Sequence, residues 1–233
     1  PTYAGYGSML INEGTVENKG IEFEASYKFN IGQVKFNVGG NASYIKNTVT
    51  NQGEGQIGLN SIGGGMGGRV SYSENGRPYG FFYGYVHDGI FQNWDEINSY
   101  VTEDGKLKQP NAVPGDIRFK DLDGKNGIDG DDRTMIGKPN PDWTYGFNLS
   151  AEWKNFDFSA FFQGAQGNDI YKLYRRSNIT KGNWDKSWLG RWHGEGTSNW
   201  MPRLVEGDNK NYQVSSLFVE DGSYMRLKVA QIG

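Results

Sequence analysis

The chain of 233 residues contains no cysteine, only two histidines and no long apolar run. Without cysteine there is no disulfide framework, no thiol nucleophile and no zinc–thiolate site. No stretch approaches the roughly twenty apolar residues that a spanning helix requires, which excludes a helical inner-membrane protein. A formal net charge of −3 provides no basic footprint for nucleic acid. His87 and His193 lie far apart, with no HExxH spacing and no serine or cysteine nucleophile pattern beside them, so both read as structural. The 27 acidic residues include no pair in a recognisable glycosidase context. Pro1-Thr2-Tyr3-Ala4-Gly5 lacks the basic and apolar regions of a signal peptide, and the chain stops inside a strand-like pattern at Val229-Ala230-Gln231-Ile232-Gly233. Both ends read as those of an internal piece of a longer exported chain.

What is abundant is glycine, with 35 residues, and aromatic side chains, at 15%. Together they favour strands and turns over helical packing. In Trp143–Gly164 the pattern is explicit. Tyr145, Phe147, Leu149, Ala151 and Trp153 alternate with Thr144, Gly146, Asn148, Ser150 and Glu152. Lys154-Asn155 reverses the chain, and Phe156, Phe158, Ala160 and Phe162 resume the alternation against Asp157, Ser159 and Gln163. A period of two sends successive side chains to opposite sheet faces, so one face is apolar and the other wet. Two strands of about ten residues on a minimal turn are long enough to cross a bilayer when tilted. Trp143, Trp153 and Phe156 fall where a membrane barrel carries its interfacial aromatic girdles. A mean hydropathy of −0.71 does not oppose this, because in a barrel only alternate strand residues face lipid.

The same design occurs near residues 20–49. Ile21, Phe23, Ala25, Tyr27 and Phe29 oppose Glu22, Glu24, Ser26 and Lys28. After the turn, Val34, Phe36, Val38, Ala42 and Tyr44 oppose Lys35, Asn37, Asn41 and Ser43. A last strand is expected near 217–233, with Met225, Leu227 and Val229 on one face and Arg226 and Lys228 on the other. Connections of 50–142 and 165–216 are far longer than compact soluble domains tolerate. Every short turn falls at one end of the strands and every long loop at the other, the asymmetry of outer-membrane barrels. The fold class is therefore all-β, an antiparallel transmembrane β-barrel segment of about five strands. Glu22, Glu24, Asn148, Ser150 and Glu152 would line its lumen. Within the first loop, residues 79–91 read as a β-extension, followed by a helical turn near Asp95–Tyr100. The glycine-rich residues 53–69 are followed by no Gly-Lys-Ser/Thr, so they read as a loop rather than a phosphate cradle.

Residues 121–132, DLDGKNGIDGDD, crowd five carboxylates into twelve positions. Charges so dense repel unless a hard cation with oxygen ligands neutralises them, and calcium fits. Asp121, Asp123, Asp129 and Asp132 occupy places one, three, nine and twelve of an EF-hand-like loop, with Ile128 at the apolar eighth place. Lys125 at place five cannot ligate, and Asn126 replaces the usual glycine at six. The expected role is a structural ion stiffening an extracellular loop. An acidic solvated turn is the competing reading. The second long loop concentrates Trp184, Trp188, Trp192 and Trp200 with Arg175, Arg176, Arg191 and Arg203. Such side chains suit sugar stacking or protein contacts, and they equally suit packing within the loop.

GTVENKGIEFEASYKF, YGFFYGYVHDGIFQN, PGDIRFKDLDGKNGIDGDDRTMIGKPNPDWTYGFNLSAEWKNFDFSAFFQGAQGNDIY and DGSYMRLKVAQIG, taken in order, resemble the C-terminal barrel of SusC/RagA-type TonB-dependent transporters. The resemblance implies a plugged barrel of about 22 strands, energy coupling through TonB, an outer-membrane location and a SusD-like surface lipoprotein as lid. It also implies import of glycans or peptides, and no enzymatic activity. The plug and TonB box lie outside this chain. A passive porin and a soluble calcium-dependent glycan-binding β-domain are the rival readings.

Overall fold

The computed structural model describes residues 14–52, 69–172, 184–205 and 210–233. Most of the glycine-rich stretch, together with Arg175 and Arg176, lies outside the described residues. Five strands form one antiparallel sheet: β1 (Thr15–Ile31), β2 (Val34–Asn51), β8 (Trp143–Trp153), β9 (Phe156–Gln166) and β12 (Tyr224–Ile232), paired in that order. The numbers between them belong to the long connections. The first contains β3 (Ser71–Tyr72), β4 (Phe81–Tyr85), β5 (His87–Ile90), helix α1 (Trp94–Ser99), β6 (Ile117–Phe119) and β7 (Arg133–Gly137). The second contains β10 (Asp169–Tyr171) and β11 (Val219–Asp221), which pair with each other. Both hairpins close on the expected short turns, with Gly32 and Lys154 at positive φ (61° and 54°).

Because paired residues in an antiparallel ladder share a face, the register displays the alternation as rows across the sheet. Apolar rows include Phe23–Ala42–Tyr145–Gly164–Met225, Ala25–Gly40–Phe147–Phe162–Leu227 and Phe29–Phe36–Ala151–Phe158–Ile232. They are bounded by Ile31–Val34–Trp153–Phe156 at the turns and Ile21–Tyr44–Trp143 at the other end. From Trp153 to Trp143 is ten residues, about 33 Å of strand at ~3.3 Å each, or about 25 Å of height at a tilt near 40°. That height equals the apolar band of an outer-membrane barrel, with an aromatic girdle at each edge. Among the described residues no other sheet covers this face: Phe147 is 38% exposed, and Phe23, Phe156 and Leu227 are exposed as well. A soluble sandwich would have buried them under a second layer.

Two details differ from the sequence expectation. The first hairpin begins at Thr15 and runs to Asn51, beyond the 20–49 limits, because backbone pairing continues past the alternating stretch, with Val16 opposite the buried Val49. Asn47 Nδ2 donates to Asn18 Oδ1 at 2.7 Å across this extension. In β12 a bulge at Lys228 shifts the register, so Leu227 pairs with Phe162 but Val229 pairs with Phe161. Val229 therefore joins the polar face instead of continuing the Met225–Leu227 face. The extra residue returns Ala230 and Ile232 to the apolar rows, where an uninterrupted strand would have put Gln231 in contact with lipid.

The long connections are not open loops. They pack into one lobe with a common core of Phe82, Tyr85, Ile90, Ile117, Phe119, Tyr171, Trp188, Tyr212, Leu217 and Phe218. The two connections cross at Tyr85 and Ser215, where Tyr85 N donates to Val214 O at 2.9 Å. Gly84 is required at this crossing, since a Cβ there would collide with the Val214 carbonyl. Phe91, Ile97 and Ala112 form a smaller core beside it, on which α1 rests. Asn93 caps that helix by accepting from Glu96 N at 3.0 Å.

Candidate functional site

Three regions carry polar chemistry, and the first is the wet face of the sheet. Rows Glu22–Ser43–Thr144, Glu24–Asn41–Gly146–Gln163–Arg226 and Ser26–Gly39–Asn148–Phe161–Val229 line it. The predicted lumenal residues Glu22, Glu24, Asn148, Ser150 and Glu152 all lie on this face. A concavity of about 680 Å³ is bounded by Glu22, Glu24, Asn41, Ser43, Thr144 and Gln163. Its wall also includes Phe161, an aromatic ring among amides and carboxylates that the sequence reading passed over. The adjacent pair Phe161-Phe162 contains the signal, because in a strand one of two neighbours must face the wet side.

The second region is the lobe. Asp116 is 1% exposed and ties the two connections together. Its Oδ1 accepts from Arg203 Nε at 2.6 Å and from Asn211 Nδ2 at 3.0 Å, and its Oδ2 accepts from Val113 N at 3.0 Å. The four tryptophans divide by environment. Trp184 and Trp200 are exposed, at 37% and 58%. Trp192 is half-buried, its Nε1 donating to Gln92 Oε1 at 3.2 Å and its ring lying against Gly115. Trp188 is 3% exposed and belongs to the core, so of the two roles the sequence left open it takes packing within the loop and offers no surface to a substrate or partner. Arg191 folds back on its own turn, with Nη1 donating to Trp188 O at 3.2 Å. His87 Nε2 lies 3.0 Å from Trp200 O, and its ring packs on Trp200 at 4.6 Å. Burial pushes its pKa below the usual histidine value, partly offset by the bond to Trp200 and the Asp88 carboxylate. Burial likewise raises the Tyr171 phenol well above the normal range.

The third region is the acidic loop. Carboxylate oxygens of Asp121, Asp123 and Asp132 lie within 4.8 Å of one another. Asp129 is not with them. It caps the short 3-10 turn Gly130–Asp132, accepting from Asp131 N at 2.8 Å, which accounts for its place in the sequence without a metal. Asp132 is fully buried and accepts from Leu122 N at 2.7 Å and Asp129 N at 2.8 Å. Asp121 is met by Lys108 Nζ at 2.8 Å. The ammonium is the main cause holding the Asp121 carboxyl below its ordinary range, and the carboxylate correspondingly raises Lys108. Lys108 was invisible to sequence inspection because it lies on a different turn of the lobe, clasped there by Ile128 N donating to its carbonyl at 2.9 Å.

A one-sided apolar sheet with aromatic girdles, a polar inner face, short turns at one end and a folded lobe at the other defines a segment of transmembrane β-barrel. Comparison with known proteins agrees. The chain is 33% identical along its whole length to TonB-dependent receptor P3 of Formosa agariphila and 30% identical to receptor P26 of the same organism. In each case it spans about a quarter of the relative's length, covering 23%. Among solved structures, the RagAB peptide transporter superposes over the whole chain with a TM-score of 0.67 at 22% identity, covering 24% of that chain. The RagAB peptide importer in its open-open state gives a TM-score of 0.65. No family model matches. The chain is thus similar along its whole length to TonB-dependent receptors, the RagAB structures share its barrel-segment fold, and its place is the outer membrane.

Proposed function

We propose that the whole protein is an active importer that takes up glycans with TonB energy coupling, beneath a SusD-like lipoprotein lid seated on the lobe. The observation that carries this reading is the sheet itself, one face uncovered and apolar at bilayer height, the other polar and concave. A folded lobe at the end away from the short turns provides a surface for capture and for a lid. Exposed Trp184 and Trp200 supply aromatic faces of the kind that stack on sugar rings, with Arg191 on the same connection. Trp192 contributes through the loop it anchors. Peptide is the second reading, favoured by the likeness to structures described as peptide importers. Uptake measured in cells with and without TonB is expected to fall to background when TonB is removed. Undiminished uptake would mark a passive porin.

Calcium at the acidic loop is a separate part of the proposal. Calcium–oxygen bonds of about 2.3–2.6 Å allow ligand oxygens to lie up to about 5 Å apart, so Asp121, Asp123 and Asp132 have suitable spacing. Binding would displace Lys108 from Asp121, and the ion's role would be to stiffen the lobe. Calorimetry on the intact receptor is expected to show calcium binding that Asp121→Ala with Asp123→Ala abolishes and Lys108→Ala strengthens. No heat in the parent, with Lys108→Ala equally silent, would leave the ammonium as the permanent counterion.

A further inference from the structure

Where the two connections meet, a cavity of about 380 Å³ opens between Pro110, Asn111, Arg133, Lys210 and Gln213. Its cationic wall is preset. The Arg133 guanidinium lies over the Tyr85 ring at 5.0 Å, and Tyr85 in turn packs on Phe119 at 5.0 Å, both rings being buried. Stacking of this kind fixes the plane of the guanidinium while leaving its N–H edge free. Among the described residues no carboxylate lies within ion-pair distance of Arg133, although the surrounding acids are otherwise engaged: Asp116 with Arg203, Asp121 with Lys108. Lys210 reinforces the positive sign, its Nζ donating to Asn111 O at 2.8 Å and lying 3.7 Å from Asp116. A planar oxyanion that accepts two parallel N–H bonds is the ligand such a group selects.

The remaining lining decides what bears that oxyanion. Strand addition by a peptide is closed off here, because the β6 edge facing the cavity is already occupied by side-chain amides. Asn211 Oδ1 accepts from Ile117 N at 2.8 Å, Gln109 Nε2 donates to Ile117 O at 3.0 Å, and Gln109 Oε1 accepts from Phe119 N at 2.8 Å. Recognition is left to side chains, namely the Arg133 guanidinium and the Gln213 amide, around a space of one or two pyranose rings. We infer that this cavity is a subsite for a carboxylate-bearing sugar, with Arg133 holding the carboxylate and Gln213 a ring hydroxyl. The inference rests on the glycan reading above and narrows it to acidic glycans.

The test is calorimetric titration of the intact receptor with trigalacturonate, with neutral galactotriose and with an acidic dipeptide of aspartate and glutamate. Trigalacturonate is expected to bind at least about 10-fold more tightly than the other two and to weaken as salt rises. Arg133→Gln should cost about 10- to 100-fold in trigalacturonate affinity, the range for charge-assisted hydrogen bonds. Arg133→Lys, which keeps the charge and removes the fork, should also weaken binding, so lost binding is not read as lost folding. Trigalacturonate binding no better than galactotriose, or a preference for the dipeptide, overturns the subsite while TonB-dependent uptake of a neutral glycan can still stand. Arg133-dependent binding in a receptor whose uptake ignores TonB supports the subsite and removes active import instead.

Discussion

Phe147→Arg is expected to destabilise the receptor in bilayers by about 2–4 kcal/mol, while Asn148→Arg, one residue along the same strand, costs within about 1 kcal/mol. The two positions have nearly the same depth and differ in face. Phe147 sits in the row Ala25–Gly40–Phe147–Phe162–Leu227, near the middle of the apolar band, where a guanidinium loses its hydration. Asn148 shares its row with Ser26 and Phe161 on the wet side, where Gly39 leaves space for its side chain. Unfolding of the reconstituted receptor by denaturant, followed by tryptophan fluorescence, gives both values. Equal costs at the two positions would mean that neither face meets hydrocarbon.

The other large effect is expected at the junction of the lobe. Asp116→Ala removes the acceptor for Arg203 and Asn211 together, and breaking a buried ion pair from one side costs about 3–5 kcal/mol. The penalty arises from the buried polar groups that lose their acceptor more than from the lost attraction. Because both partners lie in the second connection, the expected consequence is local: residues 184–205 and 210–221 open while the barrel sheet persists. Limited proteolysis should cut the variant inside the lobe at protease levels that leave the parent intact. Asp116→Asn, which can still accept from Arg203 through its amide oxygen, should fall between the two.

The barrel strands were legible in the sequence because a sheet with lipid on one side and water on the other enforces a strict period of two. Of the lobe, the β-extension at 79–91 and the turn of helix after it were legible, as β4, β5 and α1, but its packing was not, and the cause is physical. Phe81 and Phe82 are adjacent and both buried, so β4 is covered on both faces and has no period to detect. Trp188 and Trp200 are the same residue type in one short segment, and only packing separates a core ring from an exposed one. The acidic loop was recognisable from spacing alone, yet spacing could not reveal that Asp129 spends its oxygen on a helix cap or that Lys108 arrives from elsewhere to neutralise Asp121. The bulge at Lys228 shows the same limit inside the periodic part, since one inserted residue moves Val229 to the other face without any local turn residue to announce it.

All of this depends on the apolar rows lying against lipid, and a depth-matched pair of labels tests that most directly. A single cysteine placed at Phe147 or at Asn148 of the intact receptor, in a chain segment that has none of its own, can carry a small fluorophore into reconstituted bilayers. The label at 147 is expected to be quenched by brominated acyl chains and shielded from iodide, and the label at 148 to show the reverse. Quenching of both by iodide, or of neither by brominated lipid, would contradict a membrane-spanning sheet.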